Sequence, residues 1–166
     1  MSPNPALPYA ATMYARDHAL IATPIGSIRI EGGETSVLRI QLGADGDTRH
    51  GTASAVRAVA DQLEAYFAGE LKDFTVALPP VKSPRGEALR DGLIAVAYGQ
   101  SMSYGELARR LDSGPRAIGQ LCARNAFPII VPCHRILAAG GALGAYTAGE
   151  GPATKQWLLD HEQRHL

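Results

Sequence analysis

Three prolines, Pro79, Pro80 and Pro84, fall within six residues near the middle of the chain. Each fixes its own φ and lacks a backbone donor, so neither a helix interior nor a sheet ladder runs through such a cluster. The hydrophobic pattern also changes across it. Before the cluster, apolar residues alternate in short runs. After it, they recur at helical spacing. The chain of 166 residues is long enough for two small cores. Its sequence predicts an α+β protein with an N-terminal domain over 1–81 and a C-terminal domain over 82–166.

In the first domain, residues 1–17 read as a loose arm interrupted by Pro3, Pro5 and Pro8. Residues 26–30 and 37–42 alternate and flank the turn Glu31-Gly32-Gly33-Glu34, which predicts a β-hairpin. Residues 44–52 form a polar loop. Val56, Val59, Leu63, Tyr66 and Phe67 mark a helix over 54–67, with Gly69 placed to terminate it. Residues 74–78 read as a further strand. In the second domain, Leu89, Leu93, Ile94 and Val96 predict a helix over 87–98. Ser103 with Glu106 three residues on is a capping-box pattern. Ser113-Gly114-Pro115 turns the chain, and Pro115 suits a first helical position. Two short helices across that turn fit a helix-turn-helix, although an αα-hairpin that merely packs is the commoner use of the pattern. A Gly-rich turn spans 140–149, and a last helix spans 152–162.

The segment Ile129-Ile130-Val131-Pro132-Cys133-His134-Arg135 carries the chemistry. Three β-branched residues read as a short buried strand that Pro132 ends. A free thiol has a pKa near ~8.5, and the thiolate is the nucleophile, so a base or positive field beside Cys133 would activate it. A packed structural cysteine fits the tripeptide equally well. Cys122 and Cys133 are the only cysteines. They make neither a disulfide framework nor a zinc site, so no metal and no cofactor is expected. The N-terminus lacks a basic segment followed by an apolar run, and no transmembrane span is legible, so the expected location is cytoplasmic. Net charge is zero, but residues 1–81 hold six basic and nine acidic side chains, and residues 82–166 hold ten and seven. Between Asp112 and Glu150 there is no acid, while Arg116, Arg124 and Arg135 lie there, which suits a polyanion.

Taken together, these elements resemble the O6-alkylguanine-DNA alkyltransferases. The core of the match is Pro132-Cys133-His134-Arg135 after its apolar triplet. Flanking it are Ser103-Tyr104-Gly105-Glu106-Leu107-Ala108, Arg116-Ala117-Ile118-Gly119, Asn125 with Pro128, Gly144, Tyr146, Lys155 and Trp157-Leu158-Leu159-Asp160-His161-Glu162. Weaker matches in the first half are Thr23-Pro24-Ile25-Gly26 and residues 62–69. The resemblance implies a small ribonuclease H-like antiparallel sheet with a helix, then a mainly helical domain with a helix-turn-helix. It implies a monomer that acts once, moving an alkyl group from O6 of guanine (and often O4 of thymine) in double-stranded DNA onto Cys133. His134 would take the thiol proton through a water, and Glu162 would hold the imidazole in the useful tautomer. Tyr104 would crowd the target phosphate and donate toward the base, and Asn125 would tie the turn before the cysteine. Arg116 would fill the stack the base vacates. Ala117, Arg124, Arg135 and Ser103 would contact DNA, while Pro128, Val131, Tyr146 and Thr147 would line the base pocket.

The chain departs from that pattern in three places. The turn between the paired helices is about two residues shorter. Arg85 and Arg90 stand where the family carries a Phe and a Trp. Thr147-Ala148-Gly149 replaces a smaller loop sequence, and Ala148 narrows the space for bulky alkyl groups. The alternative reading is a lesion sensor of the same fold that binds without repair, but relatives of that kind lack the cysteine. A thiol hydrolase or redox protein would need a C-x-x-C partner or a recognisable oxyanion loop. The alkyl-transfer reading requires the Cys133 sulfur to be exposed and ionisable, with an imidazole and a carboxylate behind it.

Overall fold

The computed structural model describes residues 16–166, so all but the last two residues of the expected N-terminal arm lie outside the described residues. The described residues divide into two compact units, one of residues 16–40 and 44–79, the other of 41–43 and 80–166.

The first unit is built on strands β1 (Asp17–Thr23), β2 (Gly26–Gly32) and β3 (Val37–Leu42), in the order β1-β2-β3. β1 and β2 pair antiparallel from Asp17↔Gly32 to Thr23↔Gly26. Pro24 and Ile25 make their turn, where Gly26 takes a positive φ of 98° that a side chain would strain. β2 follows the expected alternation: Ile28 and Ile30 are buried, while Arg29 points outward to Glu31 at 2.7 Å. β1 does not alternate, because Ala19, Leu20 and Ile21 are all buried in succession. The run therefore carries no period-two signal, and the sequence shows no strand there.

Helix α1 (Ser54–Phe67) buries Val56, Val59, Ala60, Leu63 and Tyr66 on one stripe, the spacing of an amphipathic helix. The Asp17 carboxylate receives the Thr52 and Ala53 N–H groups at 2.5 and 2.8 Å, which fixes the approach to this helix. At the other end Gly69 has φ 78°, and the bonds Gly69 N–H to Tyr66 O and Glu70 N–H to Ala65 O close a Schellman-type cap. The strand expected over 74–78 is absent. Those residues join no ladder; instead the Gln62 side chain bonds the Thr75 backbone N–H at 2.9 Å, and Phe74 lies against Tyr66 with ring centroids 5.7 Å apart.

The second unit opens with α2 (Pro84–Ile94). Pro84, read from sequence as punctuation, is its first residue. Ser83 caps it by accepting from the Gly86 N–H at 3.0 Å. Ser83 thus starts the helix three residues earlier than its apolar spacing suggests. Strand β4 (Met102–Ser103) leads into α3 (Tyr104–Arg110), capped by Ser103 Oγ accepting from Glu106 N–H at 3.1 Å. A tight turn with Asp112 at φ 51° follows, closed by Ser113 N–H to Ala108 O at 2.8 Å, and α4 (Pro115–Ala123) begins at Pro115 as expected. The α3–α4 pair therefore has the short turn that the sequence shows.

Ile129, Ile130 and Val131 are buried but are not a strand. Ile129 has φ 77°, Val131 N–H bonds back to Phe127 O at 2.9 Å, and Pro128 bridges Val131. With Pro128 before the run and Pro132 after it, a ladder has no donor at either end, so the apolar residues fold into a turn. Cys133–Arg135 then form one 3₁₀ turn. Strand β5 (Ile136–Leu137) pairs parallel with β4, Met102↔Ile136 and Ser103↔Leu137. This two-residue pairing puts the start of α3 beside the segment that follows the cysteine. Helix α5 (Pro152–Arg164) presents Thr154, Lys155, Leu158, His161 and Glu162 inward.

Candidate active site

Cys133 sits at the start of its 3₁₀ turn and is only 3% exposed, contrary to the expectation of an open sulfur. Its wall of a small pocket, of about 60 Å³, is shared with Tyr104, Gly119, Cys122, Tyr146 and Thr147. Asn125 holds the turn in place. Its side-chain N–H groups reach Val131 O at 2.9 Å and Cys133 Sγ at 3.4 Å, and its Oδ1 accepts from Phe127 N–H at 2.9 Å. The Cys122 thiol beside it and burial together push the Cys133 thiol well above its ordinary pKa, against the opposing pull of Asn125 and Lys155. The resting sulfur is therefore a thiol, and its activation depends on a base.

The candidate base is the next residue in the chain. His134 is completely buried, and its Nε2 lies 2.6 Å from Glu162 Oε2. A carboxylate at Nε2 keeps the ring proton there and leaves Nδ1 as a lone-pair acceptor. Nδ1 is buried and has no hydrogen-bond partner among the described residues. Burial depresses the His134 pKa, with Glu162 acting in the opposite direction, so the imidazole is neutral and able to receive a proton. Burial works to raise the Glu162 pKa, but hydrogen bonds and charge from His134 and Arg135 outweigh it and hold the carboxylate ionised.

Arg135 is a correction to the sequence reading. It was expected to contact DNA, yet it is buried, with Nε and Nη2 on the two Glu162 oxygens at 2.8 and 3.1 Å and Nη1 on Val96 O at 2.7 Å. The Gly99 N–H adds a further donor to Glu162 Oε1 at 3.1 Å. A planar guanidinium matches a carboxylate with two parallel bonds, so Arg135 fixes the group that fixes His134. Pro128 and Val131 are a second correction. Neither lines the pocket of Cys133; they form the turn beneath it.

The structure brings Cys133, His134, Glu162, Tyr104, Asn125, Tyr146 and Thr147 together. The expected DNA-contacting residues lie apart from them: Arg116 and Arg124 are exposed at the two ends of α4, Ala117 is half-buried, and Ser103 caps α3. Two further residues belong to the site. Cys122, on the α4 face that also carries Gly119, shares the pocket. Lys155 is fully buried, donates to Ile136 O at 2.6 Å and Ala145 O at 3.3 Å, and lies 5.8 Å from the Tyr104 ring centroid. Its charge favours a thiolate at Cys133. The available signal was a lysine on the inward stripe of α5, next to Thr154 and one turn before Leu158.

Two family models cover nearly all the described chain: the ribonuclease-like domain of 6-O-methylguanine DNA methyltransferase over residues 17–80, and its DNA binding domain over residues 87–164. The chain belongs to this family. A methylated-DNA–protein-cysteine methyltransferase of Methanosarcina acetivorans is 34% identical over 153 residues, 87% of this chain and 97% of the relative. The constitutive enzyme of that name from Bacillus subtilis is 33% identical over 152 residues, 85% of this chain and 92% of its own. Among solved structures, Mycobacterium tuberculosis OGT in complex with DNA superimposes with a TM-score of 0.76 at 32% identity, covering 89% of this chain and 93% of that one. The α+β architecture expected from sequence is that of these methyltransferase structures.

Proposed function

We propose that this chain repairs alkylated DNA directly, by one irreversible transfer of an alkyl group from O6 of guanine to Cys133. The observation that carries this reading is the buried line from the cysteine turn through His134 to Glu162, with His134 Nε2 2.6 Å from the carboxylate. His134 Nδ1 takes the thiol proton, directly or through a water. The sulfur attacks the alkyl carbon in line, an S–C bond forms, and the C–O6 bond breaks with its electron pair passing to the guanine. Tyr104, on the pocket wall, donates toward the departing base, and the thiol proton is finally balanced by protonation of the guanine ring. The thioether is stable, so each molecule acts once.

The target carbon is inaccessible in stacked duplex, so the base must be rotated out. The pocket of about 60 Å³ is well below the ~300 Å³ or more of a typical small-ligand site. The walls formed by Tyr146 and Thr147 therefore move outward when a base enters. The C-terminal domain, 82–166, carries DNA through α4, with Arg116 inserting into the stack and Arg124 on the phosphates. The partner is double-stranded DNA carrying the lesion, and the protein acts as a monomer. Among the described residues no helix is long and apolar enough to cross a membrane, and we place the protein in the cytoplasm with its substrate. The presence of Cys133 argues against a sensor that binds without repair.

Incubation with a duplex containing O6-methylguanine should add the mass of one methylene to the peptide holding Cys133. Cys133→Ser should still bind the duplex and gain no mass. An unchanged mass in the native chain despite binding would defeat the reading.

A further inference from the structure

The active-site pocket is not the largest cavity of the second unit. A second one, of about 520 Å³, lies on the other side of α4. Gly119 and Cys122 of that helix face the active-site pocket, whereas Ala117, Gln120, Leu121 and Arg124 line the larger cavity. Its opposite wall is α2, which contributes Arg85, Leu89 and Arg90. Arg85 is exposed and Arg90 half-buried on that wall.

The lining has a distinct chemistry. Three guanidinium groups, Arg85, Arg90 and Arg124, surround the space, and no acidic residue is among the lining residues. Each arginine is held differently. Arg90 donates from Nη2 to Glu87 Oε1 at 3.2 Å and is mostly buried. Arg85 donates to the Asp112 carbonyl in the turn between α3 and α4. Arg124 is exposed at the end of α4. Leu89, Leu121 and Phe127 supply apolar walls, and the exposed side-chain amide of Gln120 supplies a donor and an acceptor. Apolar walls with a few convergent polar groups, in a volume of ~300–1,000 Å³, are the usual form of a small-ligand site. Guanidinium groups recognise phosphate through paired N–H bonds and stack on planar rings.

We infer that this cavity is a second binding site, for a nucleotide: a phosphate on the arginines and a base against Leu89, Leu121 and Phe127. The nucleotide comes either from solution or from the end of a DNA strand, and the chemistry recognised is the same.

The test uses the full chain and isothermal titration calorimetry with 5′-dAMP, which carries no guanine lesion. Inorganic phosphate and deoxyadenosine serve as separate probes. The expected result is saturable binding of dAMP at least tenfold tighter than either fragment. Arg90→Trp, which fills the cavity and removes a charge, and Arg124→Ala, an exposed change that leaves the packing intact, should each weaken it tenfold or more. The charge-matched control Arg57→Ala, in the other unit, should not. Lesion-free single-stranded oligonucleotides with a 5′-phosphate and with a 5′-hydroxyl then separate the sources. Competition with dAMP by the phosphorylated strand alone assigns the site to a strand end, absence of competition by either assigns it to free nucleotide, and equal competition by both shows only a strand lying across Arg124 and overturns the inference. Absence of dAMP binding, equal binding of phosphate alone, or unchanged affinity in both arginine variants would overturn the inference. None of these measurements depends on Cys133, so they stand or fall apart from the repair reaction.

Discussion

At the scale of single residues, the proposed chemistry rests on Glu162, because four donors converge on its two oxygens: His134 Nε2, Arg135 Nε and Nη2, and the Gly99 N–H. Glu162→Gln keeps the shape but replaces one acceptor oxygen with a donor that faces His134 or Arg135. General-base assistance is worth about 10²–10⁴-fold, and the rate of methyl transfer in single-turnover assays should fall by that order. The same change leaves Arg135 buried beside a neutral group, and breaking such a pair costs about 3–5 kcal/mol, readable by urea unfolding. The pH dependence follows from the same residues. His134 has a depressed pKa when folded, so below about 6.5 the unfolded chain binds a proton that the folded chain refuses. Glu162 is held below its ordinary value of 4.5, and the stability it contributes is present above that pH and lost as pH falls from there through its lower folded value. Stability should thus be level between about pH 7 and the ionisation of a free thiol near ~8.5, fall above it because folded Cys133 keeps its proton, and drop in two stages on acidification. Methyl transfer, which needs a neutral His134, should hold its rate to below pH 6.5. A rate that falls through 6.5 itself would show an imidazole with no depressed pKa. The residues of this site were legible in sequence where a motif marks them, as with Cys133 and His134. Arg135, the last residue of the same motif, was misplaced because a charged side chain reads as surface until the carboxylate that buries it, 27 positions away, is in view.

At the scale of elements, local signals predicted what local physics decides. Ser103 before Glu106, Pro115 after Gly114, and Gly69 after Phe67 each mark a helix end, and each is a cap or first-turn residue in the structure. The errors occur where a partner outside the segment decides. Residues 74–78 have strand-like composition but no ladder to join, and 129–131 are β-branched yet turn back on themselves between two prolines. β1 was hidden because it is buried on successive residues. The two-residue β4–β5 pairing is too short to leave a pattern, yet it couples α3 to the segment after the cysteine. Ser103 therefore serves two elements, as the last residue of β4 and the cap of α3. Ser103→Ala should cost about 1 kcal/mol of stability, measurable as a lower urea midpoint. Because Tyr104 is the next residue, methyl transfer should slow along with it, and Ser103→Thr, which keeps the cap oxygen, should restore both.

At the scale of the whole molecule, charge is divided where the fold is divided. The first 81 residues carry a balance of −3 and the rest +3, within a net charge of zero. The acid-free interval between Asp112 and Glu150 loses Arg135 to the interior, which leaves Arg116 and Arg124 as its exposed cations, at the two ends of α4. A helix whose ends carry the charge and whose middle carries small residues such as Gly119 can approach a groove closely while two guanidiniums reach the strands beside it. The two arginines are expected to do different work. A phosphate contact releases counterions, and each one adds about 0.9 to the slope of log K against log salt. An arginine inserted among bases adds little to that slope and instead stabilises the extruded state. Arg124→Ala should therefore weaken duplex binding uniformly across sequences and reduce the slope by about 1. Arg116→Ala should change the slope less and slow methyl transfer more in duplex than in single-stranded DNA, where no stack needs filling. Binding isotherms between 50 and 200 mM salt, with transfer rates on both substrates, separate these effects. Equal slope changes for the two variants, or equal rate losses on duplex and single strand for Arg116→Ala, would mean that both residues serve only as phosphate clamps and that some other group holds the stack open.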